Sequence, residues 1–331
     1  MSALLLHVGY HKTATTWLQN AVFSHESLGF ISPWGPQAGI AVDEFVLVSP
    51  FRFDAKQARS RFDAGLAEAR DKGLVPVLSN EALCGQPISG GRFEYGKYVL
   101  DRLHETFPDA KVLIVVREQR AALLSHYRQY IANGFSGDLA RFIGGPALPP
   151  GFAADCPLDH FEYHAFVGHA QALFGAKSVV VLPFEMLKEE RKRFLAEIYR
   201  LVDRPMAVVP DPAPQRVGTK GLGLAFKRAC NRINLGKADW TQARQSLAVR
   251  AVSRGTGWVQ RLAPEAWQSA YEERLQGYVE ARIGSRYAQS NALLERRTGL
   301  KLRQYGYALP SSGASATNDS ARSDPTFGQR P

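Results

Sequence analysis

The stretch that decides the fold is LLLHVGYHKTATTWLQ, residues 4–19. An uncharged apolar run ends at Gly9, and Lys12 and three threonines follow at once, where the pattern predicts the first turn of a helix. A strand that turns directly into a helix points free backbone N–H groups into the space beyond the strand, where the helix dipole also favours negative charge. The sequence therefore predicts an anion-binding loop between a first strand and a first helix.

The rest of the chain alternates short apolar runs with longer helical patterns, which is typical of an α/β protein with a parallel sheet flanked by helices. The apolar runs predict strands at 3–8, 75–79, 111–116 and 178–182. Helical spacing predicts helices at 13–24, 55–71, 92–106, 119–133, 158–174 and 185–201, and several more between 222 and 297 in a helical C-terminal part. Residues 134–157 are rich in Gly, Pro and Ala, and we interpret them as a long loop.

Composition places the chain among globular proteins, with 45% hydrophobic and 22% charged residues. Its 41 Lys and Arg against 31 Asp and Glu leave a net charge of +10, which attracts anions such as nucleotides, sulfated glycans, nucleic acid or a membrane surface. Three widely spaced cysteines fit neither a disulfide framework nor a CxxC zinc site, which favours a reducing compartment. With no signal peptide pattern and no long apolar run, we expect a cytoplasmic protein without a transmembrane segment.

The last residues of the sequence differ in composition from the rest of the chain. Residues 309–331 contain too few apolar side chains to offset the entropy of ordering them. We therefore expect one domain over residues 1–308 and a disordered tail over residues 309–331.

The stretch GYHKTATTWLQ, residues 9–19, resembles the 5′-phosphosulfate loop of sulfotransferases that use 3′-phosphoadenosine 5′-phosphosulfate (PAPS), a loop usually written around KTGTT. The resemblance implies a single P-loop-like domain in which the 5′-phosphosulfate is held by Lys12, Thr13, Ala14, Thr15 and Thr16. Alanine stands where glycine is common, and we expect a helical backbone there that suits it. The GxxxxGK[ST] spacing of nucleotide triphosphatases is absent, because only two residues separate Gly9 from Lys12.

A second stretch, KVLIVVREQRAALLSHYRQY over residues 111–130, resembles the 3′-phosphate site of the same family. The resemblance implies that Arg117, at a strand end, and Ser125, inside the next helix, bind the 3′-phosphate. A guanidinium grips a phosphate through two hydrogen bonds, and a hydroxyl adds a third. Taken singly, Arg117 could pair with a surface carboxylate and Ser125 could be an ordinary helix serine. Both motifs follow strands, so a parallel sheet would bring them to one carboxyl edge.

A candidate general base follows another predicted strand, in VPVLSNEALCG over residues 75–85. In the carbohydrate branches of the family a glutamate after this strand is the base, and the resemblance suggests that role for Glu81. His11 and His126 are rival bases beside the donor motifs, and Glu81 could instead cap a helix or form a salt bridge. Lys12 would also neutralise charge on the leaving oxygen. His7 falls in a core strand, and we interpret it as structural.

Weaker signals come from one loop and from aromatic residues. The pair of Lys220 and a following glycine resembles a pair that closes over the 3′-phosphate in related enzymes, and Arg216 lies nearby in sequence. Tyr10, Trp17 and Trp34 could line an acceptor or purine pocket, although aromatic rings pack in cores more often.

These features predict a PAPS-dependent sulfotransferase that acts on a hydroxyl acceptor, with a carbohydrate or glycolipid preferred. The sequence shows no metal-ligand motif such as HExxH, so we expect chemistry without a metal, and no nucleic-acid partner. Two alternatives remain open at this point: a nucleotide-dependent kinase with a deviant phosphate loop, and a non-catalytic basic module that binds polyanions.

Overall fold

The computed structural model describes residues 3–85, 95–145, 153–209, 219–233 and 247–311. Within these ranges one five-stranded sheet has the order β2-β3-β1-β4-β5, and every pairing is parallel. Its strands are β1 Leu5–His7, β2 Phe30–Ile31, β3 Val75–Ser79, β4 Lys111–Val116 and β5 Val179–Pro183. The predicted α/β class, with a central parallel sheet, is confirmed.

Helices flank the sheet and form most of the C-terminal part. Those in the described ranges are α1 Thr15–Leu18, α2 Gly39–Ala41, α3 Ala55–Ser60, α4 Asp63–Asp71, α5 Tyr95–Thr106, α6 Gln119–Ala132, α7 Leu139–Ile143, α8 Tyr163–Phe174, α9 Phe184–Glu189, α10 Arg191–Leu201, α11 Gly221–Arg232, α12 Leu247–Leu262, α13 Glu265–Ile283 and α14 Ala288–Thr298. Tighter or wider turns occur at Gln19–Phe23 and Val42–Leu47 (π-helical) and at Glu26–Leu28, Glu81–Cys84, Leu158–Phe161, Ala176–Ser178 and Leu302–Tyr305 (3₁₀). No helix in the described part is both long and apolar enough to cross a bilayer.

Several expected boundaries are wrong. Strand β2 was not predicted, and the single helix expected over 55–71 is the pair α3 and α4. The expected loop at 134–157 contains α7, because the Asp138 side chain accepts a hydrogen bond from Arg141 N at 2.9 Å and caps that helix. Residues 146–152 of that loop, and the expected tail from residue 312 onward, lie outside the described residues.

The register of the sheet decides which loops meet. Leu5 of β1 lies opposite Val77 of β3 and Lys111 of β4, so the central strand is buried between two neighbours. The pairing continues beyond β1, because Val8 N donates to Leu113 O at 3.0 Å and Tyr10 N donates to Val115 O at 3.1 Å. The loop after β1 is thereby held beside the carboxyl ends of β3 and β4.

The C-terminal part packs against the same corner of the sheet. The buried amides of Asn291 on α14 and Gln119 on α6 bond reciprocally at 2.7 and 3.2 Å, and Asn291 Nδ2 also donates to Ala308 O at 2.9 Å. Nearby, the Tyr307 hydroxyl donates to Glu185 Oε2 at 3.2 Å. Residues 291–308 therefore help to fix the first turn of α6.

Candidate active site

The first loop, residues 8–14, has an unusual backbone. Lys12 and Ala14 have φ angles of 67° and 64°, in the left-handed region, and Ala14 is the N-cap of α1. The expectation of a helical backbone at Ala14 is wrong, because the chain must reverse from β1 into α1 within a few residues. Glycine adopts this conformation at lower cost than alanine.

Lys12 reaches from this loop to α6. Its partly buried ammonium donates to Gln129 Oε1 at 2.5 Å. Burial lowers the pKa of Lys12, the nearby Glu81 carboxylate opposes that shift, and the positive charge of Arg117 adds to it. The lysine therefore lies near the charged side chains of Glu81 and Arg117, which follow β3 and β4.

The three threonines of the motif differ in their surroundings. The Thr13 hydroxyl donates to Tyr10 O and closes the loop on itself. Thr15 is buried, and its Oγ1 has no hydrogen-bond partner among the described residues. Thr16 is exposed. Thr15 and Thr16 therefore keep hydroxyl donors that the loop itself does not use.

Arg117 follows β4 and meets the first loop. Its Nη1 donates to Lys12 O at 3.0 Å, and its guanidinium carbon lies 4.9 Å from the centre of the Phe184 ring. Burial is the main cause that lowers the pKa of Arg117, and the Glu185 carboxylate opposes it. The buried Nε has no hydrogen-bond partner within the described ranges. The predicted meeting of the two motifs at one sheet edge is found in the structure.

Ser125 lies on α6, which begins with a firm cap. The Glu118 carboxylate accepts from Arg120 N at 3.0 Å and from Ala121 N at 2.9 Å. Ser125 is partly buried and stands one turn before Gln129, the partner of Lys12. Residues four apart share a helix face, so Ser125 lies on the side of α6 that faces the first loop.

Glu81 begins the 3₁₀ turn that follows β3. The Asn80 side chain caps this turn by accepting from Ala82 N at 2.8 Å. The Glu81 carboxylate lies 3.9 Å from His11 Nε2, with 45% of its side chain exposed against 11% for His11. It is therefore close to the first loop and remains accessible from solvent.

The rival histidine His126 is buried on α6. Its Nδ1 must donate to Ala122 O, 2.8 Å away, because a carbonyl only accepts, so Nε2 is the unprotonated nitrogen. Nε2 has no hydrogen-bond partner in the described part of the chain, and burial lowers the pKa of His126 to about 3. His7 is likewise buried, bonds Ser79 Oγ at 2.8 Å and has a pKa of about 3. His7 belongs to the core, in agreement with the structural interpretation.

Lys220 is exposed at the N-cap of α11. The pKa of Lys188 is lowered mainly by burial and next by the charge of Arg117, and the charge of Lys220 contributes to the same shift. Lys188 lies 4.6 Å from the centre of the Phe184 ring that Arg117 also covers. Arg216 lies outside the described residues. The edge therefore gathers positive charge from α9 and α11 as well as from the two motifs.

Two residues at this edge were missed from the sequence. Lys188 stands one turn into α9, the helix that directly follows β5. The other motifs also lie where a strand is followed by a helix, so this position could have indicated Lys188. Gln129 stands four residues after Ser125, and only the helical spacing could have indicated it.

The aromatic candidates have mixed surroundings. Trp34 packs against Phe62 with ring centres 5.2 Å apart, and Tyr10 packs against Tyr163 at 4.6 Å, so both have core contacts. Trp17 is buried with the Arg191 guanidinium 5.5 Å from its ring centre, and its Nε1 has no hydrogen-bond partner among the described residues. Trp17 is the aromatic candidate with an unused donor near the first loop.

The donor set of this edge suits an anion with several charged oxygens. It combines cations, hydroxyls and the buried, unused N–H of Arg117. Within the described ranges no group of three His, Cys, Asp or Glu side chains is placed to hold a metal ion. These groups can donate hydrogen bonds to the oxygens of a phosphate or sulfate group.

Comparisons with known proteins gave matches among solved structures alone: no family model and no curated protein matches the chain. A sulfotransferase from Alicyclobacillus acidocaldarius aligns with 81% of this chain and 99% of its own, at 15% identity and a TM-score of 0.42. The sulfotransferase domain from the curacin biosynthetic pathway aligns with 78% of this chain and 98% of its own, at 11% identity and 0.40. The sulfotransferase domain from the Synechococcus PCC 7002 olefin synthase aligns with 77% of this chain and 94% of its own, at 12% identity and a TM-score of 0.38.

Proposed function

We propose that the chain is a sulfotransferase that uses PAPS as donor and a hydroxyl of a carbohydrate or glycolipid as acceptor. The observation that carries the proposal is the hydrogen bond from Arg117 to the carbonyl of Lys12, which joins the two sequence motifs at one sheet edge. A 5′-phosphosulfate and a 3′-phosphate on one ribose need two such cationic groups side by side.

The donor side is assigned to residues of the first loop and α6. Lys12, Thr15, Thr16 and the loop N–H groups would hold the 5′-phosphosulfate, while Arg117 and Ser125 would hold the 3′-phosphate. When bound, PAPS supplies an activated sulfuryl group. The positive charge of Lys12 stabilises the negative charge that gathers on the leaving phosphate, and positioning and electrostatics of this kind supply most of the catalysis in related phosphoryl chemistry.

The acceptor side is assigned to Glu81, which removes the proton of the attacking hydroxyl. Its carboxylate is accessible and stands beside the loop that holds Lys12. His126 is a poorer candidate, because its burial disfavours the charged imidazolium that would form when it takes a proton. Its buried position also leaves it less accessible to an acceptor than Glu81.

Calorimetric titration with 3′-phosphoadenosine 5′-phosphate and with ATP tests the donor assignment. We expect the wild type to prefer the 3′-phosphorylated ligand, and Arg117→Lys to weaken that binding about tenfold or more, because an ammonium cannot make the paired hydrogen bonds of a guanidinium. Arg120→Lys is the matched control, since Arg120 pairs with Glu280 on the surface. Preference for ATP, or unchanged affinity in Arg117→Lys, would contradict the proposal and favour a kinase.

Transfer of radiolabelled sulfate from PAPS to a panel of carbohydrates and glycolipids tests the base. Glu81→Gln should keep nucleotide affinity and lower turnover by roughly 10² to 10⁴-fold, the usual contribution of a general base. Glu68→Gln, at a surface carboxylate on α4 that pairs with Lys72, is the control. Undiminished turnover in Glu81→Gln would move the role to His11.

A further inference from the structure

Three large apolar side chains are exposed where α12 ends and α13 begins. Trp258, Leu262 and Trp267 have 67%, 74% and 65% of their surface accessible, and we call them the tryptophan patch. Trp258 and Leu262 are four residues apart and share one face of α12, while Trp267 lies in the first turn of α13. Exposed clusters of this kind mark interaction surfaces more often than scattered single residues do.

The opposite face of α12 already has its packing partners. Val252 and Thr256 are buried on that face. At its border, a Cβ built on Gly255 would lie 3.0 Å from the Phe226 ring of α11. The core therefore takes one side of the helix and leaves the side with the tryptophan patch to solvent.

The exposed side of α12 is also strongly basic. Arg250, Arg254 and Arg261 are exposed, and the sixteen residues of the helix include no acidic side chain. Arg254 is one turn before Trp258, and Arg261 is adjacent to Leu262 in sequence. The first acidic residue beyond the helix is Glu265, at the start of α13. A row of guanidinium groups beside indole rings complements a surface of lipid phosphates.

A cleft separates the turn between α12 and α13 from the start of α11. It is lined by Lys220, Arg261 and Gln268 and by the carboxylates of Glu265 and Glu272. Gln268 Nε2 donates to Gln260 O at 2.9 Å and holds the start of α13 against the end of α12. The arginine at the end of α12 therefore shares a cleft with Lys220.

We propose that the tryptophan patch and the arginines of α12 dock the protein on an anionic lipid surface, with α12 lying in the plane of the interface. Indole rings favour the level of the lipid headgroups, and basic amphipathic helices bind anionic bilayers through apolar burial and charge attraction together. The docking does not depend on the sulfotransferase proposal.

Co-sedimentation with vesicles tests the docking. The vesicles contain phosphatidylcholine and phosphatidylglycerol in equal parts, or phosphatidylcholine alone. We expect the wild type to bind the anionic vesicles at low salt and to dissociate as salt rises, because screening weakens the charge attraction. The double variant Trp258→Ser, Leu262→Ser should bind about tenfold or more weakly, because it loses the apolar burial. Phe51→Ser, at an aromatic residue 99% exposed beside Arg52, is the matched control and should bind as the wild type does.

Further variants and outcomes separate docking on lipid from an interface between two copies of the chain. Arg254→Gln with Arg261→Gln should remove the preference for anionic vesicles. No binding by the wild type, equal binding by the double variant, or equal binding to both kinds of vesicle would overturn the proposal. So would a wild-type dimer in sedimentation that the double variant abolishes, since the patch would then be an interface between copies. The double variant, titrated with nucleotide without vesicles, should keep wild-type affinity, so docking can fail without the donor assignment failing.

Discussion

At the residue scale, Ala14 is the position where the first loop departs most from an ordinary helix start. With a φ of 64°, the left-handed backbone costs an alanine roughly 1–2 kcal/mol. A glycine would avoid part of this cost, but its greater conformational freedom in the unfolded chain would offset some of the gain. The strain lies in the loop that we assign to the 5′-phosphosulfate.

Replacing Ala14 by glycine should therefore raise the free energy of unfolding by about 0.5 kcal/mol or leave it unchanged. Ala270→Gly, in the exposed middle of α13, is the control and should lower it by about 1 kcal/mol, since glycine is a poor helix former. Thermal or urea unfolding measures both. A loss of stability in Ala14→Gly as large as in the control would contradict the described backbone.

The buried histidines predict a loss of stability in mild acid. Burial lowers the pKa of His7 and of His126 to about 3, from an ordinary value of 6.5. Between pH 6.5 and 3 the unfolded chain binds protons that the folded chain does not, so stability falls as the pH falls. One unit below 6.5, each histidine should cost about 1.4 kcal/mol.

His7→Gln should keep a hydrogen bond to Ser79 and show a flatter dependence of the melting temperature on pH than the wild type. Unfolding is measured at neutral pH and at a pH about one unit below 6.5. At the lower pH most unfolded chains carry a proton on this histidine, whereas the folded chain does not. His25→Gln, at an exposed histidine, controls for the loss of an imidazole. Parallel profiles for wild type and His7→Gln would contradict the linkage.

At the element scale, strands with strong apolar runs could be predicted and short elements could not. The run KVLIVV became β4 with the expected bounds, because a strand buried on both faces needs continuous apolar residues. Strand β2 has two residues, and it forms because Val75 N and its neighbours offer an edge to pair with, which no local pattern reveals. Helix α7 depends on one capping aspartate in a stretch that Gly and Pro make look irregular.

The packing of α5 against the turn of Glu81 gives a prediction at this scale. A Cβ built on Gly96 would lie 2.7 Å from Cys84 O, so a larger residue must displace the Glu81–Cys84 turn. Gly96→Ala should lower the melting temperature and lower turnover more than nucleotide affinity, because the displaced turn carries Glu81, which we propose as the base. At an exposed position of α13, the added methyl of Gly277→Ala meets no atom within 4 Å and should stabilise the protein by up to about 1 kcal/mol. Equal behaviour of the two variants would show that α5 does not constrain the turn.

At the scale of the whole molecule, the sheet explains how much of the site could be predicted. Lys12, Glu81 and Arg117 each follow a strand, and parallel strands bring their carboxyl ends to one edge, so three separate motifs could be joined without knowing any distance. Gln129 and Lys188 were missed, although Lys188 follows β5 and Gln129 stands four residues after Ser125. These positions do not say where the two side chains point, because packing decides how α6 and α9 are rotated about their axes.

The reciprocal amide pair of Asn291 and Gln119 ties the C-terminal part to α6. Asn291→Ala should lower the free energy of unfolding by about 2–3 kcal/mol. It leaves Gln119 Oε1 and the carbonyl of Ala308 without a partner, while Gln119 Nε2 keeps its bond to Phe161 O at 3.4 Å. The control is Gln276→Ala at an exposed position of α13, expected to change it by less than about 0.5 kcal/mol. Denaturant unfolding measures both. A small effect at Asn291 would mean that other contacts hold residues 291–308.

The central place of β1 has a consequence for biosynthesis. The ribosome makes this strand before the other four strands of the sheet, and its two neighbours are completed only at residues 79 and 116. At about 5–20 residues per second, the nascent strand waits on the order of ten seconds for its second partner. Until then its leucines are a natural target for chaperones that cover emerging apolar segments, and slowing translation before residue 116 should lengthen that period of vulnerability.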